Sequence, residues 1–316
     1  MVPTRKVEMN APLNIVTGAF GFTGKYIAAR LLSMGERVRS LTGHSGKTVT
    51  WSDQVETVPL AFQDARALVR NLEGAKTLFN TYWVRFGRKG MTHAEAVANT
   101  QVLIRAAVEA GVGRIVHVSV TNPALDSPLT YFRGKAEVEA MIRNSGLRYA
   151  ILRPAVVFGE EDILINNIAW LLRRFPLFAV PGDGQYRVQP IFVEDLATLA
   201  VDSARIPGNV VLDAVGPEAY SYDELVAMIR SAVGSEARVV HVGAPMMGLM
   251  ARLVGHLVND VVLTREEIEG LMADLLVSSQ PPTGETRLSA WVAEHAGAIG
   301  QSYASELTRH YSFAHS

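Results

Sequence analysis

Two groups of residues in this 316-residue sequence have the types and spacing to do chemistry. The first is Tyr131 and Lys135, in a stretch from Tyr131 to Asn144 with helical spacing and a Ser145-Gly146 stop. Residues four apart on a helix share a face, so phenol and ammonium stand together. A neighbouring cation lowers a phenol's pKa, and such a phenol can give or take a proton at a substrate oxygen. An ordinary half-buried tyrosine with a surface lysine meets the same spacing, so the pair gains weight only from its place in the fold. The second group is the run Thr17-Gly18-Ala19-Phe20-Gly21-Phe22-Thr23-Gly24, with Gly18, Gly21 and Gly24 three apart. In such a run the first glycine makes a tight turn out of a strand. The second lets the backbone approach a pyrophosphate, and the third lets helix and strand pack closely. The helix that starts there turns N–H groups and its positive dipole end toward phosphates. A glycine turn with no ligand is the plain alternative.

The surrounding elements decide for the ligand. Leu13 to Thr17 is a short apolar run ending at the glycines, as a buried parallel strand does. Phe22 to Met34 has helical spacing and stops at Gly35. Strands are expected at Val38–Leu41, Val55–Leu60, Thr77–Asn80, Arg114–Ser119 and Tyr149–Leu152, with helices at Asp64–Leu72 and Ala94–Ala110 between them. This alternation implies an α/β doubly wound parallel sheet, a Rossmann fold, with strand C-terminal ends on one edge where ligands bind. After Pro154 the rhythm loosens. Helices are expected at Ile163–Phe175, Asp195–Ala204 and Asp223–Val233, late strands at Gln189–Val193 and Val210–Asp213, and mostly helix thereafter. The expected organisation is a dinucleotide-binding domain over residues 1–155, with returning segments at about 186–215, and a smaller, mainly helical substrate lobe from 156–185 and 216–316.

These motifs resemble those of the extended and atypical short-chain dehydrogenase/reductase superfamily. The resemblance rests on the glycine turn, Val97-Ala98-Asn99-Thr100, Gly111 through Ser119, Tyr131-x-x-x-Lys135, Leu152-Arg153-Pro154, and Gln189 through Ala197. Leu263-Thr264-Arg265-Glu266 with Leu271 is similar to the atypical branch that includes the NADPH-binding accessory subunit of respiratory complex I. The resemblance implies Tyr131 as acid/base, Lys135 as its activator and ribose ligand, Ser119 or Thr121 as binder of the substrate oxygen, and Asn99 holding a water or backbone nearby. It implies a nicotinamide dinucleotide held by Gly18, Phe20, Gly21, Phe22, Thr23, Gly24, Thr42, His44, Asp64, Lys135 and Pro154.

No Asp or Glu follows the second strand in Ser40 to Lys47, so no carboxylate repels a 2′-phosphate. Thr42, His44, Ser45 and Lys47 can contact that phosphate, which favours NADP, with NAD possible; a solvated loop is the bland alternative. Family members place small residues after the fourth strand, whereas this chain has Tyr82 and Trp83. Those rings either stack on an aromatic substrate or are structural. Substrate choice is expected from the distal lobe, through Val157, Phe158 and Asn167.

Composition sets the outer limits. The chain is 48% hydrophobic and 19% charged with a formal charge of -1, and it has no long basic run, which argues against nucleic acid. It has no cysteine, which excludes disulfides and thiolate metal sites, and its eight histidines show no metal-ligand spacing. No signal-peptide core stands near Met1 to Pro12, so a cytoplasmic location is expected. Val239 to Leu263 reads as an amphipathic helix lining an apolar pocket rather than a membrane span, because His241, Arg252, His256, Asn259 and Asp260 interrupt it; peripheral membrane contact is the alternative. The chain is expected to be a monomer or homodimer. The leading expectation is NAD(P)-dependent oxidation or reduction of a carbonyl or alcohol on a mainly apolar small molecule. The alternatives are a non-catalytic NADPH-binding redox sensor or assembly subunit, and a sugar-nucleotide epimerase or dehydratase.

Overall fold

A computed structural model describes residues 11–43, 49–87, 91–305 and 307. In chain order the elements begin β1 (Leu13–Thr17), α1 (Phe22–Ser33), β2 (Arg37–Thr42), β3 (Val55–Pro59), α2 (Ala65–Leu72), β4 (Ala75–Asn80), α3 (His93–Glu109), β5 (Arg114–Val118), α4 (Thr130–Arg143) and β6 (Arg148–Pro154). They continue with β7 (Val156–Phe158), α5 (Leu164–Arg174), β8 (Leu177–Pro181), β9 (Arg187–Val188), β10 (Pro190–Phe192), α6 (Val193–Ser203) and β11 (Val210–Ala214). The last are β12 (Tyr220–Ser221), α7 (Tyr222–Ala232), β13 (Arg238–Val242), α8 (Ala244–Val258), α9 (Arg265–Met272) and α10 (Leu288–Glu294). The chain divides into two compact units, Met1–Pro154 with Val193–Ala214, and Ala155–Phe192 with Val215–Ser316.

The first unit is a Rossmann-like α/β fold. Its seven strands pair in parallel in the order β11-β6-β5-β4-β1-β2-β3. The chain winds outward from β1 to β3, then crosses to β4 on the other side of β1. Strand order therefore reverses between β1 and β4, where ligand sites of such sheets form. Every residue of β1 is buried, which is why Leu-Asn-Ile-Val-Thr has no polar/apolar alternation. α1 lays Ile27, Ala28, Leu31 and Leu32 inward as a helical stripe. α3 begins with a capping box in which Thr92 and Glu95 satisfy each other's backbone donors.

The edge strand β11 is held by Arg114 at the start of β5. Its buried guanidinium donates to the carbonyls of Ser203 (3.1 Å), Ile206 and Gly208, the stretch linking α6 to β11. Asn209 Oδ1 accepts from Tyr149 N at 2.9 Å and fixes the register with β6.

The second unit has its own core, built on Phe158, Ile165, Ile168, Leu172, Leu225, Ile229, Trp291 and Val292 among others. Its sheet content exceeds what the sequence led us to expect. β13 runs parallel to β8 in a region expected to be mostly helical. The reason is local: Val239, Val240 and Val242 are β-branched, and β8 supplies the partner that an isolated strand lacks. The helical part of Val239 to Leu263 is confined to α8, and its Met246, Leu249, Leu253 and Leu257 are 51%, 52%, 58% and 74% exposed. That stripe faces outward instead of lining a pocket. Among the described residues no helix is long and apolar enough to cross a membrane.

Candidate functional site

The glycine turn is tight. Gly18 leaves β1 at φ +68°, a conformation natural to glycine, and its N–H donates to Leu41 O at 2.8 Å. Gly21 N donates to Gly18 O at 2.8 Å. A Cβ on Gly24 would stand 2.2 Å from Gly18 O, so α1 approaches the turn as closely as only glycine permits. Ser40 Oγ, from β2, accepts from Ala19 N at 3.2 Å and holds the turn from below. Gly21 caps α1 with no side-chain bond, and the first turn carries no acidic residue. The positive end of the helix is thus left for an external anion, and a pyrophosphate fits this cradle.

The neighbours of the turn are aromatic. Half-buried Phe20 stacks on Trp51 at 6.0 Å, a buried partner that sequence reasoning missed, and Phe22 meets Tyr26 edge-on at 6.2 Å. Thr23 is half-buried in the first turn of α1, and Thr42 ends β2. His44, Ser45 and Lys47 lie outside the described residues. Asp64, expected at the nucleotide, is exposed, and its carboxylate caps α2 by accepting from Ala67 N at 2.9 Å.

The segment after β4 is clamped to the end of β1. Thr17 Oγ accepts from Thr81 N (2.7 Å) and Tyr82 N (3.0 Å), and Thr81 Oγ donates to Thr17 O at 2.5 Å. The two aromatics then diverge. Tyr82 packs on Phe62 at 4.9 Å, and its hydroxyl accepts from Asn99 Nδ2 at 3.0 Å, so that amide N–H is engaged with this tyrosine. Trp83 stacks on His93 at 6.0 Å, and Tyr131 meets both rings edge-on, at 5.8 Å and 5.6 Å. Sequence reasoning missed His93; its only signal was the capping motif at the start of α3.

Lys135 is buried, and its Nζ donates to Val118 O at 2.9 Å and lies 4.4 Å from the Trp83 ring centroid. Burial lowers its pKa to about 7, against the opposing pull of Glu139. His117, fully buried on β5 with Nδ1 3.1 Å from Asn80 Nδ2, is held well below its ordinary pKa by burial and then by Lys135.

Ser119 does not take the place expected for it. It is buried, and its hydroxyl donates to Glu139 Oε1 at 2.6 Å. Arg153 grips the same carboxylate through Nε (2.9 Å) and Nη2 (2.6 Å), which raises the arginine's pKa. Glu139 also escaped sequence reasoning, although it follows Lys135 by one helical turn on the face of Tyr131. Thr121 is buried, with its N–H donating to Pro154 O at 3.0 Å, which ties the segment after β5 to the end of β6.

The distal candidates divide. Phe158, expected to face substrate, is fully buried in the second unit's core against Phe192 (5.4 Å) and Trp291 (5.5 Å). Asn167 is also buried, and its amide is spent on Ala304, donating to its carbonyl at 3.1 Å and accepting its N–H at 2.8 Å. Both side chains are engaged in packing and hydrogen bonding within the second unit. Val157 is half-buried on β7, paired with Ile191 of β10.

A parallel sheet puts the ends of β1, β4 and β5 on one edge, so the glycine cradle, Trp83 and the start of α4 share that edge. Fold and cradle together define a dinucleotide-binding Rossmann protein. A family model described as NAD(P)H-binding matches residues 18–165. The chain is 24% identical over 83% of its length to the mitochondrial NADH dehydrogenase [ubiquinone] 1 alpha subcomplex subunit 9 of Arabidopsis thaliana, spanning 70% of that protein. It is 28% identical over 73% of its length to an uncharacterized protein of Mycobacterium tuberculosis, of which it spans only 24%. The solved NADPH-dependent quinone oxidoreductase of Escherichia coli complexed with NADPH superposes with a TM-score of 0.72 at 21% identity, over 89% of this chain and 99% of that one.

Proposed function

We propose that this chain is an NAD(P)-dependent oxidoreductase of the short-chain dehydrogenase/reductase type, acting on a carbonyl or alcohol of a mainly apolar small molecule. The observation that carries the reading is the pairing of Tyr131 with a buried Lys135 on one face of α4, on the sheet edge that holds the glycine cradle.

Gly18, Gly21 and Gly24, with the start of α1, hold the pyrophosphate. Thr42 and the exposed Gly43 end β2 without a carboxylate, so a 2′-phosphate meets no repulsion there and NADP is the preferred form. When bound, the nicotinamide supplies or accepts the hydride. The residues of this chain handle the proton. Tyr131 gives it to, or takes it from, the substrate oxygen, and protonated Lys135 favours the phenolate. With the Ser119 proton committed to Glu139, Tyr131 is the residue that donates to that oxygen. Tyr82, half-buried beside the same segment, contributes an apolar ring to substrate contact.

A second reading is a non-catalytic NADPH-binding subunit. The packing of Trp83 against Lys135 favours it, because it fills space near the reactive pair. Likeness to a subunit of a mitochondrial NADH dehydrogenase [ubiquinone] points the same way.

The test begins with calorimetric titration of the purified chain with NADPH, NADP+, NADH and NAD+, followed by Tyr131→Phe assayed on a panel of apolar carbonyls. The enzyme reading expects nucleotide binding unchanged and turnover down by about 10²–10⁴-fold. Binding without turnover in either form supports the subunit reading, and no binding at all removes both.

A further inference from the structure

Trp83 is the residue that the proposed chemistry leaves without a task, yet the chain makes several provisions for it. The backbone before it is locked to β1 through Thr17, and Asn80 Oδ1 accepts from Tyr82 N at 3.1 Å. One ring, His93, stacks on it almost parallel, at an interplanar angle of 6°. His93 is itself anchored, with Nδ1 2.7 Å from Thr130 Oγ1 and Nε2 3.3 Å from Arg85 O. α4 makes room for the indole at Gly134, in mid-helix, where glycine weakens a helix. A Cβ there would lie 3.0 Å from Trp83 Cη2 and 3.4 Å from its Cζ2. Among the described residues the buried indole Nε1 has no hydrogen-bond partner, a cost that packing at this spot must outweigh.

All of this places the indole against both members of the reactive pair. Its ring centre is 4.4 Å from Lys135 Nζ and 5.8 Å from the Tyr131 ring. An aromatic face attracts an ammonium and excludes water from it. We propose that Trp83 is a positioning residue for the Tyr131–Lys135 pair, its indole roofing the lysine Nζ against water and holding it beside the tyrosine. The proposal rests on the oxidoreductase reading for its consequence, but the contact it describes is independent of that reading. Among the described residues, the titratable groups around this lysine are His117 on β5, Glu139 and Tyr131 on α4, and His93 of α3 behind the indole. Burial is the larger influence on Lys135, and the Trp83 ring is one wall of that burial.

The test is a titration of Lys135 itself, followed by NMR on the full chain grown with 13C-labelled lysine, with Lys135→Met assigning the resonance. In the parent chain it is expected to titrate near 7. Trp83→Ala admits water and is expected to raise the midpoint by about one unit or more, toward the ordinary lysine range. Trp83→Phe keeps a ring over the ammonium and is expected to stay within about half a unit of the parent. An unmoved resonance in the alanine variant overturns the proposal, as does a phenylalanine variant displaced as far as alanine. If the alanine chain does not fold, Trp83→Gln, which brings a polar group over the ammonium, is read in its place, and an unmoved resonance there also overturns it. NADPH titration of the same samples separates the two ideas: a chain that binds no nucleotide refutes the proposed function while the Lys135 result stands.

Discussion

The Ser119 hydroxyl donates to Glu139 Oε1 at 2.6 Å, and a hydroxyl has one proton to give. Ser119→Ala is therefore expected to change turnover by less than about threefold, since it takes no donor from a substrate oxygen. It should cost about 1.5–3 kcal/mol of stability through the lost buried bond to a charged carboxylate. Steady-state rates beside urea unfolding check both numbers. A loss of about 10²-fold or more in rate would return Ser119 to the substrate oxygen.

Glu139 is the hinge of that network. Glu139→Ala takes from Arg153 the carboxylate it grips and leaves it only the weaker pull of Asp213, and removing one partner of a buried pair costs about 3–5 kcal/mol. The lower end is expected, because the Arg153 side chain remains 25% exposed. Guanidinium unfolding measures it, and a shift below about 1 kcal/mol would class the pair with surface ion pairs.

Gly24→Ala puts a methyl group 2.2 Å from Gly18 O. The turn must open, and NADPH affinity is expected to fall by at least about tenfold, because the pyrophosphate relies on close approach of this backbone. Calorimetry reads the affinity, and circular dichroism confirms that the sheet persists. Unchanged affinity would mean that the cradle holds something else.

The first unit should gain stability with rising pH. Lys135 titrates near 7 when folded but near 10.4 when unfolded, so between those values the unfolded chain binds the extra proton and stability rises with pH. His117, lowered from its ordinary value, acts in the same direction below about 6.5, where only the unfolded chain takes its proton. In the second unit, burial raises Tyr186, Tyr220 and Tyr222, so above about pH 10 only the unfolded chain loses those protons and stability falls. Thermal unfolding from pH 5 to 11 is expected to peak between these arms. Loss of the rise between 7 and 10 in Lys135→Met would assign it.

Phe158→Ala should act on folding rather than on substrate choice, costing about 3–5 kcal/mol in the second unit through the cavity it leaves. Asn167→Ala should release the backbone at Ala304 and raise proteolysis there. A change in substrate preference without loss of stability in either variant would contradict their structural placement.

The parts of the site visible in the sequence were those that local spacing encodes. The glycine turn and the Tyr131–Lys135 pair each lie within one element junction, where backbone geometry alone sets relative position. Alternation of strand and helix then gave the parallel sheet, because only crossovers connect parallel strands. What stayed hidden depended on neighbours distant in sequence. The Ser119 hydroxyl could be assigned only once α4 was known to bring Glu139 over β5. The Trp83 indole needed His93 and Gly134 to reveal its direction. Phe158 and Asn167 were misjudged because a valine-rich strand and the helix after it look alike whether they face a ligand or a core. β13 was missed because its partner β8 lies in a separate stretch of chain.

The strap that Arg114 throws over the segment before β11 also bears on the order of synthesis. When Pro154 leaves the ribosome, six of the sheet's seven strands exist, but the carbonyls of Ser203, Ile206 and Gly208 do not. β6 then has one naked edge, and a naked parallel edge is a template for any passing strand. The nascent protein must carry that edge through translation of the whole intervening segment before its own β11 arrives to close it. The interval is a window in which a chaperone, or slow passage through those codons, would govern the yield of the native fold.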